Sequence, residues 1–400
     1  MTNNNDKKVL NVPLLRFPEF TEEWKEHCLA EYLDFKNGLN PSANKFGSGI
    51  KFISVMDILN NNFITCDCIR TSVKITPEEQ VAFAVEKGDM LFQRSSETLE
   101  DVGRANVYMD ENPAVFGGFV IRGKKKTEYN PMFFRYLLAS PYARKKIIPM
   151  GAGAQHFNIG QDGLSKVKLH FPILQEQQKI AALLRLIDER ITTQNKIIED
   201  LNKLKSAIIE MEYTHKTKGN THIGDFIEQT SKRNKDSAIQ NVLSVSNSQG
   251  FIQQCEQFEN RNVASDDISN YKIVERNCFA FNPARINVGS IARLTTFNRG
   301  IVSPMYICFR TKDNLFPEYL DYYFESKQFF TEIQKRLEGS VRQCLSYEGL
   351  CNIPLCIPTV EVQQQTGKRL STLVQEIKLE IDFLELLQKQ KKFLLHQMFI

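Results

Sequence analysis

The stretch Leu169-His170-Phe171-Pro172-Ile173-Leu174-Gln175-Glu176-Gln177-Gln178-Lys179-Ile180 reads as a short apolar strand, a proline and the opening of a helix. It is echoed 186 residues downstream by Leu355-Cys356-Ile357-Pro358-Thr359-Val360-Glu361-Val362-Gln363-Gln364-Gln365-Thr366. Upstream of each, Gly163, Leu164 and Val167 superimpose on Gly349, Leu350 and Ile353. Aligned without a gap, residues 151–213 and 337–399 share 13 identities in 63 positions. A fixed offset of this kind means two copies of one supersecondary unit.

In each copy the proline is followed by apolar residues at intervals of three, four or seven, the spacing of a heptad-like seam. The first seam is Ile180, Leu184, Ile187, Ile191, Ile198, Leu201 and Ile208, with Leu183, Leu204 and Met211 widening it. The second is Leu370, Leu373, Ile377, Ile381, Leu384, Leu387 and Leu394, ending at Met398. No proline or glycine interrupts residues 173–213, so the spacing predicts a continuous helix about 60 Å long. A helix of that length outruns one domain and needs a partner along it. A lone seam of this kind fits a local bundle or a homodimeric coiled coil. Two seams in one chain can also satisfy each other as an antiparallel pair.

The segments ahead of the helices run in parallel. Leu29-Ala30-Glu31-Tyr32 resembles Ile223-Gly224-Asp225-Phe226, and Ile53-Ser54-Val55 resembles Leu243-Ser244-Val245. Gly88-Asp89-Met90-Leu91-Phe92 resembles Asn277-Cys278-Phe279-Ala280-Phe281, and Pro131 and Pro317 open short helices carrying Tyr136 and Tyr322. The expected fold class is α+β: two globular mixed α/β domains separated by two long antiparallel helices, as a pseudo-two-fold internal repeat. The expected boundaries are 1–150 for the first globular domain with its lead-in and 151–215 for the first helix segment. The second globular domain spans 216–338 and the second helix segment 339–400.

The bulk composition, 42% hydrophobic and 24% charged over 400 residues, suits two or three domains with separate cores. The start, Met1 to Lys8, is polar and lacks a secretory core, and no apolar run reaches membrane-spanning length, which points to the cytoplasm. Nine cysteines, Cys255 among them, show no metal-site spacing and are expected to be reduced. A net charge of +4 is too mild to announce nucleic-acid binding, so any DNA face must be local. The sequence has no phosphate loop, HExxH or GxSxG motif. Asn282-Pro283 loosely matches the start of the Asn-Pro-Pro-aromatic loop of adenine methyltransferases, but Ala284 and Arg285 follow, and a strand-end turn is the better reading. The expectation is a chain without catalytic residues, metal or cofactor of its own.

Polar loops fit DNA contact better. After the Gly88 and Asn277 strands come Gln93, Arg94, Ser95 and Ser96 with Arg104, and Asn282, Arg285 and Asn287 with Arg293. Arginine can read guanine bidentately and Asn or Gln adenine. Basic clusters at Arg122 to Lys126 (including Lys124, Lys125 and Lys126), at Arg144 to Lys146 and at Lys232 to Lys235 (including Lys232 and Arg233) could neutralise phosphates. A third candidate is the turn opening each repeated segment, with Gln155, His156 and Asn158 in one copy and Arg342 and Gln343 in the other. Each of these also reads as an ordinary solvated turn.

On these residues the chain resembles the specificity subunits of type I restriction-modification systems. The resemblance is carried by Arg16-Phe17-Pro18 to Trp24, by Gly88 to Arg94, and above all by Leu169 to Ile180 with its second copy. In that second copy Val362 replaces Glu176 and Thr366 replaces Ile180. The resemblance implies a non-catalytic adaptor with two target-recognition domains held apart by two conserved helices, each domain reading part of a split double-stranded DNA target. It implies as partners two methyltransferase subunits, which use S-adenosylmethionine to methylate adenine, and two motor-nuclease subunits, which use ATP and Mg. The helix length would then set an unread spacer. Other readings are a stand-alone DNA-binding or coiled-coil protein, and the specificity subunit of a related combined restriction-methylation enzyme.

Overall fold

The structure is a computed structural model, and it describes residues 11–214, 221–247, 249–254, 267–339 and 343–400. Met1 to Lys8, Cys255 and Arg342 lie outside the described residues. The repeated prolines each precede one long helix, Leu174–Thr214 of 41 residues and Val360–Gln397 of 38 residues. The chain divides into two compact units: unit 1 takes in Met1–Asn195 and Asp382–Ile400, and unit 2 takes in Lys196–Ile381. Each unit thus owns the first part of one long helix and the last part of the other.

Within unit 1, Trp24 touches both Glu176 and Phe399, while Asp188 meets Lys391 at 2.5 Å. The first helix therefore climbs as the second descends. Within unit 2, Glu212 faces Arg369, and Leu204 and Glu376 line one groove, which gives the same antiparallel sense. The seam residues Ile180, Leu184, Ile187, Leu370, Ile377, Leu387 and Leu394 are buried. Ile191, Ile198, Leu201, Ile208, Leu373 and Leu384 are half-buried. Ile381 departs from the expected seam at 40% exposed, as do Leu204 and Met211.

Both units carry the same four-stranded antiparallel sheet. In unit 1 the strands are β1 (Leu33–Asn37), β2 (Met90–Gln93), β3 (Ala105–Val107) and β4 (Val120–Lys125), in the order β1-β4-β2-β3. In unit 2, β5 (Ile227–Thr230), β6 (Phe279–Phe281), β7 (Ile291–Arg293) and β8 (Ile307–Thr311) lie in the matching order β5-β8-β6-β7. Because both faces of the sheet are covered, β2 and β6 are buried throughout. Met90 and Phe92 face the core shared with the long helices, and Leu91 faces a second core; Phe279, Phe281 and Ala280 divide in the same way. A second sheet in each unit contains a parallel pair, Ile53 beside Phe116 and Leu243 beside Val302. The turn before each central strand is left-handed, with φ of 93° at Gly88 and 67° at Asn277. Glycine and asparagine are the residues that enter this region most readily.

One buried glutamine in each copy ties its helix to its sheet domain. Gln177 Nε2 donates to the Pro172 carbonyl at 2.9 Å, and its Oε1 accepts from Asn130 N at 3.0 Å. Gln363 does the same with the Pro358 carbonyl at 2.9 Å and Phe316 N at 2.8 Å. The far ends of the helices also repeat: Phe399 packs on Phe133 with ring centroids 5.6 Å apart, and Tyr213 packs on Tyr319 at 4.9 Å. The copies part at Glu176, which is 1% exposed and held by Arg16 through two 2.7 Å bonds and by Trp24 Nε1 at 3.3 Å. These bonds raise the Arg16 guanidinium above its ordinary value. Val362, at the matching place, is 38% exposed, so the acid serves the lead-in segment of the first copy.

Gln177→Ala and Gln363→Ala each leave buried main-chain groups unpaired. Each is expected to lower unfolding stability by about 1–3 kcal/mol, read by thermal denaturation. An unchanged transition for both variants would contradict the tie.

Candidate nucleic-acid interface

Two candidate segments far apart in sequence meet in unit 1. Ser95–Ser96, which follows β2, pairs antiparallel with Phe157–Asn158. Ile159 N donates to the Arg94 carbonyl at 2.9 Å, and the Ser95 hydroxyl donates to Asn158 Oδ1. The intervening hairpin is closed by a bridge between Ala152 and Asn158 and leaves Gln155 and His156 exposed. Unit 2 repeats the arrangement. Leu345 N donates to the Pro283 carbonyl at 3.0 Å, and Glu338 bridges Cys344, with Gln343 exposed beside it.

A third segment joins this surface in unit 1, one that the sequence reading did not include. The turn Gly117-Gly118-Phe119 accepts from Arg94, through its N–H at the Phe119 carbonyl (2.9 Å) and through Nη1 at the Gly118 carbonyl (3.4 Å). A side chain at Gly118 would collide with Asn40, whose Oδ1 would lie 2.0 Å from it. The paired glycines were the available signal for this close approach.

The single candidates divide by environment. Gln93 is buried and donates to the Ser95 carbonyl at 2.9 Å, shaping the loop from inside. Arg104 is exposed and pairs with Asp101 at 2.5 Å. Lys124 and Lys125 pair with Glu86 at 3.3 Å and Glu128 at 3.0 Å, and Lys126 donates to the Ala30 carbonyl at 3.1 Å. Such exposed pairs are weak and can exchange for phosphate. Two arginines of the basic clusters turn their guanidinium groups inward onto carbonyls. Arg122 is buried and donates to the Ala84 carbonyl; Arg144 donates to the carbonyls of Glu100 at 2.8 Å and Val102 at 2.6 Å, and burial pushes it down to about 10.

In unit 2, Lys232, Arg233, Lys235 and Arg299 line a cleft of about 690 Å³ in which Asp236 is the only acid among the lining residues. Arg233 holds Asn270 Oδ1 at 2.8 Å. Asn282 is buried and accepts from Ala284 N at 3.1 Å, which makes Asn282-Pro283 a strand-end turn and leaves Arg285 exposed and Asn287 half-exposed beyond it. Arg293 lies inward, 3.0 Å from Asp321, 3.5 Å from Glu318 and 3.1 Å from Asn277 Oδ1. Burial raises the Asp321 carboxyl above its ordinary value, and the Arg293 guanidinium pulls the other way.

Among the described residues no group of His, Cys, Asp and Glu is placed to hold a metal ion. The eight described cysteines are free thiols. No helix of the described residues is long and apolar enough to cross a membrane.

Comparison with known proteins converges on one family. The family model described as the type I restriction modification DNA specificity domain matches residues 21–203. The MjaX specificity subunit described for Methanocaldococcus jannaschii is 27% identical over 220 residues, covering 52% of this chain and 51% of that protein. The type I restriction enzyme HindI specificity subunit of Haemophilus influenzae is 26% identical over 196 residues, covering 47% and 40%. These matches span about half or less of the relatives' own length. The crystal structure of the S subunit of a type I restriction-modification system from M. genitalium shares the fold over 97% of this chain and 99% of that one, with a TM-score of 0.60 at 15% identity. The chain is thus similar to type I restriction-modification specificity subunits, with residues 21–203 matching that family's DNA specificity domain.

Arg293→Ala strands the half-buried Asp321. It is expected to destabilise the chain by about 1–2 kcal/mol, seen as a lowered unfolding midpoint. Full stability in that variant would contradict the inward, structural role.

Proposed function

We propose that the chain is the sequence-reading, non-catalytic subunit of a type I restriction-modification complex. The reading is supported most by the doubled loop pair: in both units a strand-end turn is stitched to the hairpin that opens the repeated segment. Two units built alike suit a target of two short sequences, one for each unit. The side chains there, half-exposed Arg94 with exposed Gln155, His156 and Asn158 in one unit and half-exposed Asn287 with exposed Arg285 and Gln343 in the other, are of types that recognise base edges. The basic cleft at Lys232 to Lys235 and the lysines of β4 supply phosphate contacts that set register without reading sequence.

The long helices scaffold the partners. In unit 1 Leu186, Phe383, Leu386 and Phe393 are exposed, and in unit 2 Leu204, Met211 and Leu379 are. Large apolar side chains left in water at this density mark a protein-binding surface. Two methyltransferase subunits would dock there, one for each repeat, and motor-nuclease subunits would join through them. S-adenosylmethionine, ATP and Mg belong to those partners. Helix length then sets the unread spacer between the two half-sites, in the manner of a ruler.

The scaffold is tested by inserting one helical turn after Asn195 together with one after Ile381. In cells carrying the complete complex, methylome sequencing is expected to show the same two half-sites with a longer spacer; an unchanged spacer sinks the ruler. Arg94→Ala is expected to relax recognition of the half-site read by unit 1 while the complex still assembles, with discrimination falling by about 1–3 kcal/mol. Full discrimination in an assembled Arg94→Ala complex would remove Arg94 from the reading surface.

A further inference from the structure

Phe119 and Met305 occupy the same place in the repeat, 186 residues apart. Each sits at the tip of the turn that leads into β4 or β8. Phe119 is 67% exposed although residues 114–118 and Val120 are buried; Met305 is 58% exposed, with Tyr306 buried beside it. Few substitutions would be simpler for a solvated turn than a polar residue, yet both copies hold out a large apolar side chain. Neither tip is slack. The Phe119 turn is bonded to Arg94 at two points. Tyr306 is fixed through its N–H to the Ser303 carbonyl at 3.1 Å, its carbonyl to Lys272 Nζ at 2.6 Å and its hydroxyl to Val245 N at 3.4 Å.

Strand register puts each tip next to a proposed reading loop. Gln93 lies opposite Val120, and Phe281 lies opposite Ile307. Polar or basic side chains lie at each turn, Arg94 and Asn40 at the Phe119 turn and Lys272 at the Met305 turn, so each tip sets one large apolar group beside groups that can meet DNA. A projecting Phe or Met on a hydrogen-bonded turn, beside side chains that can reach base edges, has the form of a wedge that enters a base step and partly unstacks it.

We infer that Phe119 and Met305 are DNA wedges, each inserting between adjacent base pairs of the half-site read by its own unit. The inference rests on the proposal that these loops face DNA. Insertion makes part of the sequence preference indirect, because steps that unstack easily are favoured without any hydrogen bond to them. It also holds each half-site in a kinked form while the base edges are read.

The test uses the complex assembled with its methyltransferase subunits and duplexes carrying 2-aminopurine walked across each half-site, away from the methylated adenines. The wild-type complex is expected to raise fluorescence at one step in each half-site. Phe119→Ala should abolish the rise in the first half-site alone and weaken binding of the specific duplex roughly tenfold; Met305→Ala should do so in the second, and Phe119→Leu should keep most of the signal. Fluorescence and affinity unchanged in both alanine variants, with wild type still discriminating its target, overturn the wedge and spare the reading loops. Failure of Phe119→Ala to assemble overturns it in favour of a subunit contact. A wild-type complex that does not distinguish target from scrambled duplex overturns both readings together.

Discussion

The buried amide of Gln177, and of Gln363 in the second copy, is the interaction on which the rest depends. Each side chain uses its donor on the carbonyl of the proline ahead of its long helix and its acceptor on the N–H that opens a short helix of the sheet domain. One planar group thereby fixes the angle between a long helix and a sheet domain, and does so twice. An amide suits this position because it carries a donor and an acceptor a fixed distance apart, and because burial makes an unpaired polar group costly. The same offset recurs in the aromatic contacts at the helix ends, Phe399 on Phe133 and Tyr213 on Tyr319.

Because each unit takes the start of one long helix and the end of the other, its core closes only when both copies are present. The helix segments gain stability from tertiary burial of an apolar stripe rather than from intrinsic propensity alone. The buried Asp188, which accepts from the Tyr136 hydroxyl at 2.8 Å and pairs with Lys391 at 2.5 Å, joins three stretches of chain in unit 1. Arg293 with Asp321 and Glu318 forms an inward charge cluster in unit 2 from other residues. The repeat is therefore kept in topology and in the glutamine tie, while the ionic links have diverged.

Much of the scaffold was legible in the sequence because periodicity and offset report it directly. The long helices, the repeated proline, and the match of Gly88 with Asn277 all follow from spacing or from residue types tied to one backbone region, whereas the strand expected before each proline forms in the first copy alone among the described residues. The candidate surface was legible only in outline. Arg122, Arg144, Arg293 and Asn282 have the chemistry of DNA contacts, yet they are turned inward onto carbonyls, carboxylates or a neighbouring N–H. Residue type does not disclose the direction of a side chain. The pairing of Ser95 with Asn158 was hidden by sequence distance, and the exposure of Phe119 by an apolar run in which every neighbour is buried.

The account stands or falls on two similar units reading two parts of one target. Single-molecule methylome sequencing of cells that express the chain with its methyltransferase partner tests this most directly. The expected motif is two short defined sequences separated by a run of fixed length and free composition, with one methylated adenine on each strand. A single uninterrupted motif, or methylation without sequence preference, would contradict it.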